Sequence, residues 1–384
     1  MTSLSRAASV ADYRQLARRR LPKIFFEYID GGSYDEATLR RNVADLGNLA
    51  LRQRVLRDMS ALDSSVETLG QKFSMPIGLA PVGMAGMYAR RGELQAARAA
   101  ALAGVPFCLS TVGICSVEEV ARGGVAPWFQ LYVLKDRGYM REVVRRAKTA
   151  GSPVLVLTVD LPVPGARYRD VRSGFRGLTG MSAFLNLAKD GLTHPHWLWD
   201  VWLQGRPHSL GCIAGALTKG QSVTDFLNWI ADNFDRSVTW KDLDWIRAEW
   251  DGPIVIKGIL DPNDARDAVR AGAQAIVVSN HGGRQLDGVR SAIAALPLIA
   301  DAVGGDLELY LDSGIRSGLD VLKALALGAK TCFVGRAWAY ALGAGGQAAV
   351  TQMLGTLRAE LEVAMILTGC QSIRSAGRQL IDSD

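Results

Sequence analysis

The sequence predicts an α/β fold, a (β/α)8 barrel, on three observations: eight short apolar runs rich in β-formers, helix-like stretches between them, and a polar side chain at the end of nearly every run. In chain order the runs are "PIGLAP", "VPFCLS", "WFQLYV", "PVLVLTVD", "PIVIKG", "QAIVVSN", "LELYLDSG" and "TCFVGR". Between them lie "GELQAARAAALAG", "RGYMREVVRRAKTAG", "PNDARDAVRAGA" and "GLDVLKALALGA", which stop at Gly or Ala-Gly as helices do. Such alternation implies a parallel sheet, and eight units close it. The carboxyl ends of barrel strands form the active-site face. Ser110, Gln130, Tyr132, Thr158, Asp160, Lys257, Ser279, His281, Asp312 and Arg336 are therefore expected to converge.

Composition agrees with this reading. A chain of 384 residues, 48% of them hydrophobic and with 41 glycines, can bury a large core in one domain or two. A net charge of +6 suits an anionic substrate, a cofactor phosphate or an acidic membrane surface, and is too diffuse to suggest nucleic acid. Cys108, Cys115, Cys212, Cys332 and Cys370 lack CxxC or metal-ligand spacing, so neither a disulfide framework nor a metal site is expected, and reduced thiols suit the cytoplasm. Charges break the N-terminal segment before any signal-like core, and no run is apolar for long enough to span a bilayer.

The loops after the seventh and eighth runs, "LDSGIRSG" and "VGRA", each carry glycine and lead into a helix. Loops at these two places commonly bind phosphate through backbone N–H groups, and Arg316 and Arg336 could add charged hydrogen bonds. The stretch "SNHGGRQLDG" places His281 at the end of the sixth run, with Asp160 at the end of the fourth. An imidazole held by a carboxylate is a general base. Arg284 offers a planar fork suited to a substrate carboxylate, and Gly282 and Gly283 let the backbone turn close by. The alternative is a hydrogen-bonded core histidine beside a surface arginine.

On "SNHGGRQLDG", "LPKIFFEYIDGG", "STVGICSVEEV", "WFQLYVLKDRGYM", "LTVDLPVPGARYRD" and "IVIKGILDP", the chain resembles the FMN-dependent L-2-hydroxy-acid oxidase and dehydrogenase family over nearly its whole length. It is most similar to the bacterial, membrane-associated and quinone-linked L-lactate dehydrogenases of that family. The resemblance implies one FMN-binding barrel domain over residues 1–384, L-lactate oxidation to pyruvate, a quinone acceptor, and a homo-oligomer peripheral to the cytoplasmic face of the inner membrane. It makes His281 the base and Asp160 its support. Arg167 and Arg284 would hold the substrate carboxylate, and Tyr28 and Tyr132 the carboxylate or hydroxyl. Val82, Gly83, Ser110, Gln130, Thr158 and Ser279 would flank the flavin ring, and Lys257 would stand near its N1 and O2 edge. Asp312, Gly314, Arg316, Gly335 and Arg336 would bind the ribityl-phosphate tail. Two departures from the oxidase branch stand out: Gly83 replaces an alanine and Val112 a bulky tryptophan. The alternatives are (S)-mandelate dehydrogenase, an oxygen-using oxidase, a Schiff-base aldolase on Lys257, or a non-enzymatic membrane-surface module.

The stretch after the fourth run, about 176–215, is too long for an ordinary βα loop and contains "HPHWLWDVWLQGRPHSLGCIAGAL". Trp197, Trp199 and Trp202 with Lys189, Arg206 and nearby histidines form an expected interfacial segment, with rings at headgroup level. Pro195, Asp200, Arg206 and Pro207 argue against a spanning helix there. The alternative is a lid packed on the barrel.

Overall fold

The structure, a computed structural model, describes residues 3–175, 190–216 and 232–382. A short hairpin of β1 (Val66–Thr68) and β2 (Gln71–Phe73) precedes eight parallel strands: β3 (Ile77–Leu79), β4 (Cys108–Ser110), β5 (Trp128–Leu131), β6 (Leu155–Thr158), β7 (Ile254–Ile259), β8 (Ala275–Val278), β9 (Glu308–Leu311) and β10 (Thr331–Val334). Each of the eight lies in one of the apolar runs, with β7 reaching one residue past its own. The sheet runs β3-β10-β9-β8-β7-β6-β5-β4, and a parallel bridge between Leu79 and Phe107 brings its two edges together. The result is a nearly closed (β/α)8 barrel.

The strands are short and apolar on both faces because both faces are covered. Inside, Trp128, Tyr310 and Phe333 fill the barrel with valines from β6, β7 and β8, their ring centroids 5.5 to 6.2 Å apart. At the amino end the hairpin acts as a plug: Thr68 Oγ1 bonds the Tyr310 hydroxyl at 2.5 Å. Outside, helices Gly92–Ala103, Arg137–Thr149, Pro262–Arg270 and Gly318–Ala326 match the helix-like stretches, with true ends up to three residues short of the quoted segments.

Two additions frame the carboxyl face. Helices Val10–Arg20, Lys23–Asp30 and Ala37–Asn48 precede the barrel, and a last helix, Arg336–Thr368, broken at Gly345 and Gly346, packs on Val10–Arg20 and Gly92–Ala103. The register of β7 shifts between Lys257 and Ile259. Gly258 occupies this bulge at φ +112°, where an added Cβ would lie 2.6 Å from Asp160 Cβ, so only glycine lets Asp160 seat there.

The tryptophan-bearing insertion lies between β6 and β7, and the expectation for it needs correction. Trp197 is not interfacial: it is 4% exposed, packs on Phe25 with centroids 5.3 Å apart, and donates its indole N–H to the Met87 carbonyl at 2.8 Å. A ring that finds apolar neighbours and a partner for its N–H inside the protein has no reason to leave it. Trp202 is half-buried and stacks on His208 at 4.9 Å, whereas Trp199 is 63% exposed. Lys189 lies outside the described residues. No helix among the described residues is long and apolar enough to cross a membrane.

Candidate active site

The chain leaves β8 through Ser279 and Asn280 and turns sharply at His281, whose φ of +57° is followed by Gly282 at +67° and Gly283 at +71°. A non-glycine residue in this region costs about 1–2 kcal/mol and persists only where its surroundings hold it. Here every amide of the turn is engaged. His281 N–H donates to Ser279 Oγ at 3.1 Å, Gly282 N–H to Ser313 Oγ at 2.9 Å, and Gly283 N–H to Asn280 Oδ1 at 3.0 Å. Asn280 is itself locked to Asn42 by two reciprocal amide bonds of 2.8 and 2.7 Å.

The turn presents the imidazole to Asp160, which follows β6. His281 Nδ1 lies 2.9 Å from Asp160 Oδ1, with both side chains largely buried. Burial pulls the His281 pKa below its ordinary value; Asp160 pulls it back, and Lys257 lowers it again. The ring is therefore neutral near pH 7, with Nδ1 committed to the carboxylate and Nε2 left for a ligand. Burial raises the Asp160 carboxyl, but His281 and Lys257 together outweigh it and hold Asp160 ionised.

Lys257, in the β7 bulge, extends Nζ to Asp312 Oδ2 at 3.0 Å and Ser279 Oγ at 3.1 Å. Burial works against its charge, and Asp312 followed by Asp160 reverses that effect and raises the pKa. It is a fixed, buried cation. Beside it, Ser110 Oγ donates to Gln130 Oε1 at 3.0 Å, while Gln130 Nε2, Thr158 Oγ1 and Asp160 Oδ2 are buried without a partner. An orphaned polar atom costs about 1–3 kcal/mol, so such atoms at the ends of β5 and β6 mark places where a polar-edged ligand is expected.

Arginines gather at the other side of the cavity. Arg336 donates to the carbonyls of Ile29, Gly282 and Gly31 at 3.0, 2.8 and 2.8 Å. Arg284 Nη1 donates to those of Tyr28 and Gly31 at 2.5 and 3.0 Å. Together they cap the C-terminus of helix Lys23–Asp30, where carbonyls lack helical partners. Burial lowers the Arg336 pKa; Arg284 and Arg316 lower it further against the opposing pull of Tyr340 and Asp30. An anion brought here would relieve that crowding. Gly314, Arg316 and Gly335 line the same end.

The cavity between these groups measures about 1300 Å³ including its open mouth. Tyr28, Tyr132, Arg167, Val82 and Gly83 line it with Lys257, His281, Arg284, Asp312 and Arg336. Ser110, Gln130, Thr158 and Ser279 are buried and do not line it; Ser279 is tied to it through Lys257, and Asp160 through His281. Burial, then Asp160, pushes the Tyr132 phenol up, so it remains a neutral donor. Sequence reasoning missed Tyr88, which donates its hydroxyl to the Gly83 carbonyl at 3.0 Å, and the apolar wall of Leu161, Phe175, Leu210 and Phe234. Apolar residues in long connections give no sequence signal for a pocket; Tyr88 follows β3 closely enough to have been considered.

The family model described as FMN-dependent dehydrogenase matches residues 17–383. The chain belongs to this family. It is 58% identical over 371 residues to an L-lactate dehydrogenase of Ectopseudomonas mendocina, covering 96% of this chain and 97% of that one. It is 60% identical over 367 residues to an L-lactate dehydrogenase of Xanthomonas campestris pv. campestris, with 95% and 94% covered. Among solved structures, the monotopic membrane protein (S)-mandelate dehydrogenase superposes with a TM-score of 0.90 at 33% identity over 98% of this chain and 99% of that one. Mandelate oxidase with (S)-4-hydroxymandelic acid does so with a TM-score of 0.84 at 39% identity and 98% coverage of both. The cofactor of these FMN-dependent dehydrogenases fits the residues present: orphaned Gln130 Nε2 and Thr158 Oγ1 suit the polar edge of a flat ring, Lys257 suits a negative edge, and the crowded arginines suit a phosphate.

Proposed function

We propose that this FMN-dependent dehydrogenase oxidises an L-2-hydroxy acid to the 2-oxo acid, with L-lactate to pyruvate as its reaction, and delivers the electrons to a membrane quinone. The observation that carries the chemistry is a neutral imidazole fixed by a carboxylate at 2.9 Å, in the same cavity as two guanidinium groups, Arg167 and Arg284. Bound FMN supplies the two-electron acceptor.

In this reading the substrate carboxylate sits between Arg167 and Arg284, with Tyr28 and Tyr132 donating hydroxyls to the carboxylate or the C2 oxygen. His281 Nε2 takes a proton from the substrate as it is oxidised, and Asp160 holds the correct tautomer and stabilises the imidazolium that forms. Ser110, Gln130, Thr158, Ser279, Val82 and Gly83 would hold the flavin ring, and Lys257 would supply a fixed positive charge toward its N1 and O2 edge. Asp312, Gly314, Arg316, Gly335 and Arg336 would hold the ribityl-phosphate tail, the arginines at its phosphate.

Peripheral attachment to the membrane, which this reading puts at its cytoplasmic face, is supported as attachment by the exposed part of the insertion, where Leu192, Trp199 and Leu203 are 76%, 63% and 42% exposed. Trp197 acts instead as the anchor of that segment to the barrel. The test is an anaerobic titration of the purified yellow protein. L-Lactate should bleach the flavin and yield one pyruvate per flavin, followed by reoxidation with a soluble quinone. Bleaching by (S)-mandelate alone would move the substrate to an aromatic acid, and no bleaching by either would overturn the reading.

A further inference from the structure

Three segments far apart in sequence bring Tyr28, Arg167 and Arg284 to the cavity, and they are tied to one another pairwise. Arg284 joins the Tyr28 segment through the Tyr28 and Gly31 carbonyls. The Arg167 segment joins the Arg284 segment through Arg167 Nε on the Arg284 carbonyl at 3.2 Å, and through Gly165 N–H on Gln285 Oε1 at 3.1 Å. The third side of this triangle is made by Arg169. Its Nη1 bonds Asp30 at 2.7 Å and Glu27 at 3.2 Å, and its Nη2 bonds Glu36 at 2.7 Å.

Asp30 is a hub. It is 4% exposed and also takes both Arg14 Nε and Nη2, at 2.5 and 2.8 Å, and the Tyr340 hydroxyl at 2.7 Å. Arg14 and Tyr340 fix the end of helix Lys23–Asp30 against its neighbours, and Arg169 transmits that fixed position to the chain two residues from Arg167. Across the mouth, the Tyr28 ring stands 4.7 Å from the Arg284 guanidinium carbon and 5.9 Å from that of Arg167. One backbone bond, Tyr34 N–H to the Ala166 carbonyl at 2.7 Å, runs along the same side but starts six residues beyond Tyr28.

We propose that Arg169 is a positioning residue for the substrate carboxylate: by holding Glu27, Asp30 and Glu36 together it sets the spacing between Tyr28 and Arg167. A planar guanidinium spreads its donors over separate nitrogens and so reaches three carboxylates that stand apart, whereas the three donors of a lysine all leave one nitrogen. The inference rests on the proposed clamp of Arg167 and Arg284, and it assigns to Arg169 no contact with substrate.

The experiment compares the parent holoenzyme with Arg169→Ala and Arg169→Lys. For each, it measures the KM for L-lactate, the dissociation constant for oxalate, the saturating rate of anaerobic flavin reduction, and the preference for L-lactate over L-lactamide. For Arg169→Ala, KM and the oxalate constant should rise at least about ten-fold and the acid-over-amide preference should shrink, with the saturating rate falling less than about three-fold. Arg169→Lys should lie between. A purely structural loss would lower flavin content or rate and leave the acid-over-amide ratio unchanged. Should Arg169→Ala fail to retain flavin, Glu36→Gln, which removes one partner from a partly exposed site, decides the matter by a smaller shift in the same direction. Unchanged KM, oxalate binding and ratio in the flavin-loaded variants overturn the inference. A parent enzyme that does not distinguish acid from amide overturns the clamp itself.

Discussion

Arg284 is bound twice to Tyr28: its guanidinium donates to the Tyr28 carbonyl at 2.5 Å and its central carbon lies 4.7 Å from the centre of the Tyr28 ring. The cation thus caps a helix with one edge of its fork while facing the cavity, and its orientation is settled before any substrate arrives. Preorganisation of this kind lowers the ordering cost of binding an anion. Arg284→Lys keeps the charge but cannot serve both duties. Affinity for L-lactate and for oxalate should fall by more than about ten-fold, since a hydrogen bond to a charged group is worth about 1.5–3 kcal/mol. Equilibrium dialysis with oxalate checks this, and an unchanged constant would remove Arg284 from the clamp.

The His281 and Asp160 pair makes a prediction about pH. A base works only when neutral, and the His281 pKa lies below its ordinary 6.5, chiefly through burial. The rate of flavin reduction should therefore fall as pH drops through a value below 6.5. Asp160→Asn removes the charge that raises the imidazole pKa, so the acid limb should move to still lower pH. The plateau should drop by about 10² to 10⁴, because the imidazolium loses its stabilising carboxylate. A limb that moves upward, or an unchanged plateau, would contradict this assignment. Stopped-flow pH profiles decide it.

Gly83 predicts a choice of acceptor. A Cβ there would stand 2.7 Å from Val112 Cγ2 and 3.6 Å from the Tyr28 hydroxyl, so Gly83→Ala must displace Val112. If Gly83 stands beside the flavin as proposed, that displacement should speed reoxidation by oxygen relative to quinone, as followed by oxygen uptake. Gly83→Ala with Val112→Ala relieves the contact and should restore flavin binding if the single variant loses it. An oxygen rate equal to that of the parent in the loaded protein would show that Gly83 does not govern acceptor choice.

The tryptophans of the insertion should separate by burial. Trp197→Ala removes a buried indole and its hydrogen bond and should cost about 3–5 kcal/mol of stability, read by denaturant unfolding. Trp199→Ala with Leu203→Ser removes largely exposed surface and should cost about 1 kcal/mol or less, well below Trp197→Ala, while shifting the protein from the membrane to the soluble fraction. A double variant that stays with the membrane places the docking surface elsewhere.

The barrel was legible because its strands are short apolar runs that end in polar residues: Thr158 ends β6, Gln130 stands one residue from the end of β5 and His281 three residues past β8, while Lys257 lies inside β7 at its bulge. The imidazole and carboxylate pairing was legible for the same reason. The second duty of Arg284 and Arg336 was not, since their partners are backbone carbonyls of helix Lys23–Asp30 and any sequence offers those. Trp197 and Trp199 are two residues apart in one aromatic run. Which ring goes inward depends on Phe25 and Met87, more than a hundred residues earlier. Arg169 is not legible in the sequence because its three acidic partners stand on a segment that no local pattern connects to it.

The most direct test of the central claim is single-turnover reduction of the flavin by L-lactate without oxygen, in the parent and in His281→Ala, both loaded with FMN. The account predicts rapid bleaching with stoichiometric pyruvate in the parent. It predicts a rate lower by about 10² to 10⁴ in the variant, with flavin and oxalate still bound. Equal reduction rates in the two proteins would contradict it.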